Sequence, residues 1–285
     1  MLKVAILGCE NSHANSFIEY SKSDAMSDKI EIVGVYSHDK EAALKLNDVF
    51  GVSVMESFDE LVGKVDGIII TARHGDNHYK YAKPYMDSKI PMFIDKPITV
   101  SGEDAISFMK DLKENNIKYC GGSSLAMTET VCKIKEEIKG KKVLGGNVVT
   151  PLLTFEEHGG FFFYAQHLVQ IMGSLFGAFP KSVKTFSADG NLTVVVRYDN
   201  FDVTGLYVEG YDKYFVSAVC DDNIYSGDIT LDGCFDSEFR HFYNILSGGE
   251  PTQTIDEFFA PVFIMNAIKD SLDSGKEEKI VYGVM

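Results

Sequence analysis

The chain has no tryptophan, only five cysteines and no long apolar run. The missing tryptophan excludes nothing. Cys9, Cys120, Cys132, Cys220 and Cys234 are scattered, with no CxxC pair and no Cys/His cluster at zinc-ligand spacing. No metal is expected as a cofactor. A cluster such as Glu156, Glu157 and His158 reads as solvated loop rather than as ligands. No apolar stretch is long enough to span a bilayer, and Met1-Leu2-Lys3 leads straight into a strand-like run without a signal-peptide pattern. A reducing cytoplasm is the expected location. Positive charge is scarce too: 27 basic against 42 acidic residues leave a formal charge of −15. That balance argues against nucleic acid or an anionic membrane as the partner, although one local basic spot suffices for a phosphate. Low-complexity linkers and repeats are also missing.

What is present begins with Leu2-Lys3-Val4-Ala5-Ile6-Leu7-Gly8, an apolar run closed by glycine. Asn11 or Ser12 can cap the helix that follows, in which His13 stands in the first turn. Strand, glycine turn and helix start make an anion-binding corner, because the first free N–H groups point into it. The dinucleotide fingerprint G-x-G-x-x-G would need glycine at 8, 10 and 13, and Glu10 and His13 occupy the last two places. A carboxylate aimed at a pyrophosphate would cost about 4 kcal/mol at ~4 Å and an effective dielectric of ~20. Glu10 must therefore point away if a dinucleotide binds in the usual manner.

A second strand, Ile30–Tyr36, ends at Ser37-His38-Asp39. An acid at that tip would bind the ribose hydroxyls of NAD. Ser37 stands there instead, with His38 next, which leaves room for the 2′-phosphate of NADP. A third strand at 65–71 is nearly all apolar, as in a parallel sheet covered on both faces, and opens into the polar Ala72-Arg73-His74-Gly75-Asp76-Asn77-His78.

The run Phe93-Ile94 then stops abruptly at Asp95-Lys96-Pro97. Charges need solvation or partners and proline has no N–H for a ladder, so the run reads as a strand delivering a charged pair to a sheet edge. Repeated strand–helix units up to residue 120 imply right-handed crossovers and a parallel, doubly wound sheet. After Gly121-Gly122 the texture changes. A long strand at 143–155 and a helix at 161–176 precede five strands between residues 182 and 231, then helices at 237–246 and Ile255–Ser274. Two domains are expected, 1–120 and 121–285, the second an antiparallel sheet with helices for substrate binding and oligomerisation.

With these parts in place the chain resembles the glucose–fructose oxidoreductase/inositol dehydrogenase (Gfo/Idh/MocA) family. Asp95-Lys96-Pro97 is similar to the family's Glu-Lys-Pro signature. Gly159-Gly160 followed by a helix with His167 is similar to G-G-x-x-x-D-x-x-x-H, and Thr71…His78 to the cofactor loop T-P-N-x-x-H. The resemblance implies an α/β fold: an N-terminal Rossmann domain plus a C-terminal α+β domain with an open, mostly antiparallel sheet. It implies NAD or NADP as cofactor, held by Gly8, Asn11, Ser12, His13, Ser37, His38, Thr71, Arg73, His78, Asp95 and Lys96. Lys96 would orient substrate and stabilise charge, and His167 would move the proton.

Phe163 stands where the family's aspartate belongs, so Phe163, Tyr164 and His158 would line an aromatic substrate pocket. The expected function is hydride transfer between a nicotinamide cofactor and a hydroxyl or carbonyl of a small polyol, sugar or related metabolite. A degenerate protein that binds a dinucleotide or metabolite as a sensor is the competing expectation. Alternating apolar positions such as Val203, Leu206 and Val208 suggest a sheet face that associates into a dimer or tetramer.

Overall fold

The structure, a computed structural model, describes residues 1–283. Its first half alternates strand and helix: β1 (Leu2–Leu7), α1 (Ser12–Ser21), β2 (Ile30–Tyr36), α2 (Lys40–Phe50) and β3 (Gly67–Ile70). α3 (Asp76–Ala82), β4 (Met92–Asp95), α4 (Gly102–Glu114) and β5 (Tyr119–Gly122) complete it. Side chains start the helices where the sequence puts them: Asn11 caps α1, Asp39 caps α2 and Ser101 caps α4. The strands form one parallel sheet in the order β2-β1-β3-β4-β5. The order reverses between β1 and β3, which opens a crevice beyond their C-terminal ends, the usual ligand position in such sheets. Gly8 sits at that point with φ +81°, and a Cβ on it would lie 2.4 Å from the Ala72 nitrogen. No other residue fits there.

The second half holds α5 (Glu129–Glu137), β6 (Val143–Leu152), α6 (Phe162–Phe176), β7 (Ser182–Ala188) and β8 (Asn191–Arg197). It continues with β9 (Asp202–Glu209), β10 (Tyr214–Cys220), β11 (Ile224–Ile229), α7 (Cys234–Leu246), α8 (Ile255–Ser274) and β12 (Glu277–Lys279). Its sheet runs β11-β10-β6-β9-β8-β7-β12, antiparallel at every junction except the parallel β6/β9 pair. α6 covers the inner face against β6 and β9, and Tyr207 Oη donates to the Ala165 carbonyl at 2.9 Å.

Val203 does not belong with Leu206 and Val208. Side chains alternate along a strand, so Val203 is fully buried under the helices, while Leu206 and Val208 lie half-buried on the opposite face beside Thr204. Across that outer face Leu206 pairs with Val149, and Val149 with Phe215.

The last two helices reach back to the first sheet. Phe239 of α7 packs 5.9 Å from Phe17 and Phe242 packs 6.0 Å from Phe93, while Phe259 of α8 meets Phe108 at 5.6 Å on the other side. Each of these rings is fully buried. Truncating one to alanine costs about 3–5 kcal/mol, a large part of the about 5–15 kcal/mol that holds a typical domain folded. The two sheets are thus fixed to one another by a shared core.

Candidate active site

β4 ends at Asp95, and the chain turns through a cis Lys96–Pro97 peptide bond. Asp95 is wholly buried and accepts from the Lys96 backbone N–H at 2.7 Å. His13 Nδ1 lies 2.7 Å from Asp95 Oδ2, and Asn11 Nδ2 donates to the same oxygen at 3.4 Å. Burial works to raise the Asp95 pKa, yet His13, helped by Lys96, holds it below the usual carboxylate range. Thus His13, in the third glycine position, ties the start of α1 to the strand that carries Lys96.

The Lys96 side chain runs under aromatic rings. Its Nζ lies 4.7 Å from the Phe163 ring centre and 5.1 Å from that of Tyr164, and Lys96 is 3% exposed. Among the described residues no oxygen acceptor lies within hydrogen-bond distance of Nζ. Burial draws its pKa below that of a free lysine; Asp95 opposes the shift, Arg73 reinforces it and Glu238 opposes it.

His167 comes from α6 and is buried, with Nδ1 2.7 Å from Ser123 Oγ. Burial pulls its pKa well below 6.5, and the charges of Lys96 and His13 add to the effect. The imidazole is therefore neutral at neutral pH. Tyr164 stands edge-on to it, ring centres 4.5 Å apart, and shares a 2.6 Å hydrogen bond with Tyr214 through the two hydroxyls. Phe163 stacks near Phe155 and His158, at 5.5 and 5.1 Å.

Nearer β1 and β2, Glu10 points neither at the helix start nor at solvent. Its Oε2 accepts from Ser37 Oγ at 2.7 Å and its Oε1 from the Arg73 backbone N–H at 3.1 Å. The space beside Ser37 at the β2 tip is occupied by this carboxylate. Thr71 Oγ1 donates to the Gly8 carbonyl at 3.0 Å. His78 is not at the crevice surface: it is fully buried on α3 with Nε2 2.8 Å from the Ala72 carbonyl, so it braces the loop from behind. Arg73 reaches across to the second half, Nη1 3.3 Å from His158 Nε2. Glu10, His38, Arg73 and His158 border a cavity of about 490 Å³. Ser12 lies exposed at the first turn of α1.

Three site residues escape a reading of the sequence. Ser123 holds His167. Gln166, fully buried, accepts from the Ile98 N–H at 2.9 Å and donates to Gln170 Oε1 at 2.9 Å. Glu238 on α7 is 1% exposed, and among the described residues neither of its carboxyl oxygens has a hydrogen-bond partner. Burial pushes its pKa well above 4.5, Asp95 adds to that and Lys96 opposes it. Glu238 leaves one legible trace, an acid set between Cys234 and Phe242 on the apolar stripe of its helix.

Residues 2–122 match the family model described as oxidoreductase family, NAD-binding Rossmann fold, of the Gfo/Idh/MocA type. These residues are similar to that family. No curated protein matches the sequence. Among solved structures, the WlbA dehydrogenase of Bordetella pertussis, in complex with NADH and UDP-GlcNAcA, superposes with a TM-score of 0.83 at 15% identity, covering 99% of each chain. The myo-inositol 2-dehydrogenase of Lactobacillus plantarum gives 0.81 at 15% identity, over 98% of this chain and 99% of that one. The apo scyllo-inositol dehydrogenase of Lactobacillus casei gives 0.81 at 11%, over 98% of both. At these identities the likeness establishes the fold, with the Rossmann sheet and the mostly antiparallel second sheet in the same architecture. No helix among the described residues is long and apolar enough to cross a membrane.

Proposed function

We propose that the chain is an NAD-dependent oxidoreductase, moving a hydride between the cofactor and a hydroxyl-bearing or carbonyl carbon of a small polyol, sugar or related metabolite. The observation that carries this reading is the convergence of Lys96, from the end of β4, and His167, from α6, on the Tyr164 ring, whose centre lies 5.1 Å from the Lys96 amine and 4.5 Å from the imidazole. A lysine amine with no acceptor among the described residues and a neutral imidazole held by Ser123 are groups in waiting. The substrate class is supported by the similar folds of WlbA, solved with UDP-GlcNAcA, and of the two inositol dehydrogenases.

The residues present fit a nicotinamide dinucleotide. The crevice lies at the strand-order reversal, Arg73 supplies a positive charge for a pyrophosphate, and the Lys96 amine has no hydrogen-bond acceptor among the described residues. Gly8, Asn11, Ser12, Thr71 and Arg73 would hold it, with Ser37 and His38 at the adenosine end. The cofactor supplies the hydride acceptor or donor. Lys96 orients the reacting oxygen and stabilises negative charge that develops on it. His167 takes the hydroxyl proton in oxidation and returns it in reduction, a role suited to a base that is neutral at the working pH. Asp95 and His13 act indirectly, by fixing the strand end from which Lys96 projects.

NAD⁺ reduction over a panel of inositols, hexoses and uronic acids, by wild type and Lys96→Met, tests the reading. Turnover in wild type and none in the folded variant is expected; equal turnover in both would sink the assignment.

A second reading, a sensor that binds dinucleotide without turnover, is favoured by the Phe163 ring 4.7 Å from the Lys96 amine. That ring covers the group on which chemistry depends. Binding of NADH with no turnover across the panel would select it. The domain division at 120/121 stays a proposal, with the boundary better set after Gly122, where β5 ends. So does a dimer or tetramer formed through the Leu206–Val149–Phe215 row, to be read by light scattering. Five free cysteines suit the reducing cytoplasm proposed as its location.

A further inference from the structure

Glu10 is a misfit in a dinucleotide crevice, yet it is held with care. It arrives from the turn after β1, and its carboxylate lies at the tip of β2, bonded to Ser37 Oγ at 2.7 Å. The Arg73 backbone N–H fixes the other oxygen at 3.1 Å, and His38 Nδ1 stands 3.9 Å away. The side chain is 8% exposed, so the carboxylate cannot swing out to solvent without breaking both bonds. In Rossmann sites the tip of β2 is where the adenosine ribose is read, ordinarily by an acid that β2 itself supplies. Here the acid comes from a different loop and reaches the same place.

We propose that Glu10 is the residue that selects NAD over NADP, a reading that rests on the oxidoreductase assignment above. Each carboxylate oxygen has room for two donors and uses one within the protein, so each keeps a position for a ribose hydroxyl. A 2′-phosphate would meet this carboxylate instead. Among the described residues, His38, its Nδ1 3.9 Å from Glu10, is the neighbour that could offset part of the repulsion. The Ser37 hydroxyl, which could donate to a phosphate, is already given to Glu10. The Asp39 side chain caps α2 through Glu41 and Ala42 N–H and adds a second negative charge at the tip. Lys40 is paired with Glu56 at 3.7 Å. Around the cavity, Glu10, Asp39, Asp76 and Glu157 stand against Arg73, the one lysine or arginine among the described residues that line it, and the rings of His38, His74 and His158. Arg73 is the group needed by the pyrophosphate.

The test is binding, measured by calorimetry for NADH and NADPH at pH 8 with wild type and Glu10→Gln. Wild type is expected to bind NADPH at least tenfold more weakly than NADH. Glu10→Gln, which keeps the shape and removes the charge, is expected to bring the two within about threefold, mainly through tighter NADPH. Equal affinity in wild type overturns the selection and leaves the oxidoreductase reading intact. An unchanged ratio in the variant overturns the assignment to Glu10. Failure of wild type to bind either nucleotide overturns the oxidoreductase reading and this one with it. Should Glu10→Gln not fold, wild type titrated with ADP-ribose and its 2′-phosphate isolates the adenosine end, and equal affinities there overturn the proposal.

Discussion

Gln166 Oε1 accepts a hydrogen bond from the Ile98 backbone N–H at 2.9 Å. Ile98 lies two residues after Lys96, and Gln166 immediately precedes His167. One buried amide therefore couples the strand end that carries the lysine to the helix that carries the histidine, across the junction of the two sheets.

Gln166→Ala leaves that buried N–H unpaired. The expected loss is about 1–3 kcal/mol of stability, seen as a lower midpoint in urea unfolding. Turnover should fall about tenfold as the Lys96–His167 geometry loosens. A variant with a lower midpoint and full activity would separate the bond from catalysis.

Glu238→Gln is expected to stabilise the protein at neutral and higher pH. Burial raises the Glu238 pKa well above 4.5, so its contribution in the folded state is intact below about 4.5 and is lost as pH rises through the folded value. Glutamine keeps the shape and cannot ionise. The melting temperature of the variant should exceed that of wild type at pH 8, with each kcal/mol worth about 2–4 °C in a chain of this size, and the gap should close near pH 4. A lower melting temperature at pH 8 would show that the Glu238 carboxylate is paired and stabilising.

Catalysis in the oxidative direction requires neutral His167. Since burial, with Lys96 and His13, sets its pKa well below 6.5, the acid limb of kcat/KM should fall below pH 6.5 rather than at it. His167→Asn should lower kcat/KM about 10²–10⁴-fold. A limb above pH 6.5 would point to a different base.

Phe163→Asp puts a carboxylate close to the Lys96 amine, where the ring now lies. The amine gains an acceptor and the pocket gains a group that reads hydroxyls. The ratio of kcat/KM for inositols over less polar secondary alcohols should rise about tenfold, the value of one charge-assisted hydrogen bond of about 1.5–3 kcal/mol partly offset by desolvation. An unchanged ratio would place the substrate away from Phe163.

Much of this fold is legible in local sequence. Helix α8 can be bounded at both ends because Thr254 and Glu257 form a capping box and Gly275 closes it in a left-handed conformation. Helix α7 begins at Cys234 and not at 237, because Gly233, at φ +68°, provides the entry while the Ser237 hydroxyl turns back to the Gly233 carbonyl at 3.1 Å. Serine at a helix start and serine one turn inside it look alike in sequence. Strand β6 stops at Leu152 and not at 155, since Phe155 leaves the sheet to bridge Gly160. The site is legible only in part. Lys96 and His167 can be named from motifs, but the partners that hold them, Gln166 and Ser123, are set by long-range packing. Two places of the glycine fingerprint carry other residues, and in space each makes a contact that its spacing does not reveal, Glu10 with Ser37 and His13 with Asp95.

The most direct test of the account is a crystal structure with NADH bound. The account predicts the nicotinamide beside Lys96 and His167, the Phe163 ring moved off the Lys96 amine, and the adenosine ribose at Glu10. A nicotinamide lodged elsewhere, with Phe163 still over Lys96, would contradict it.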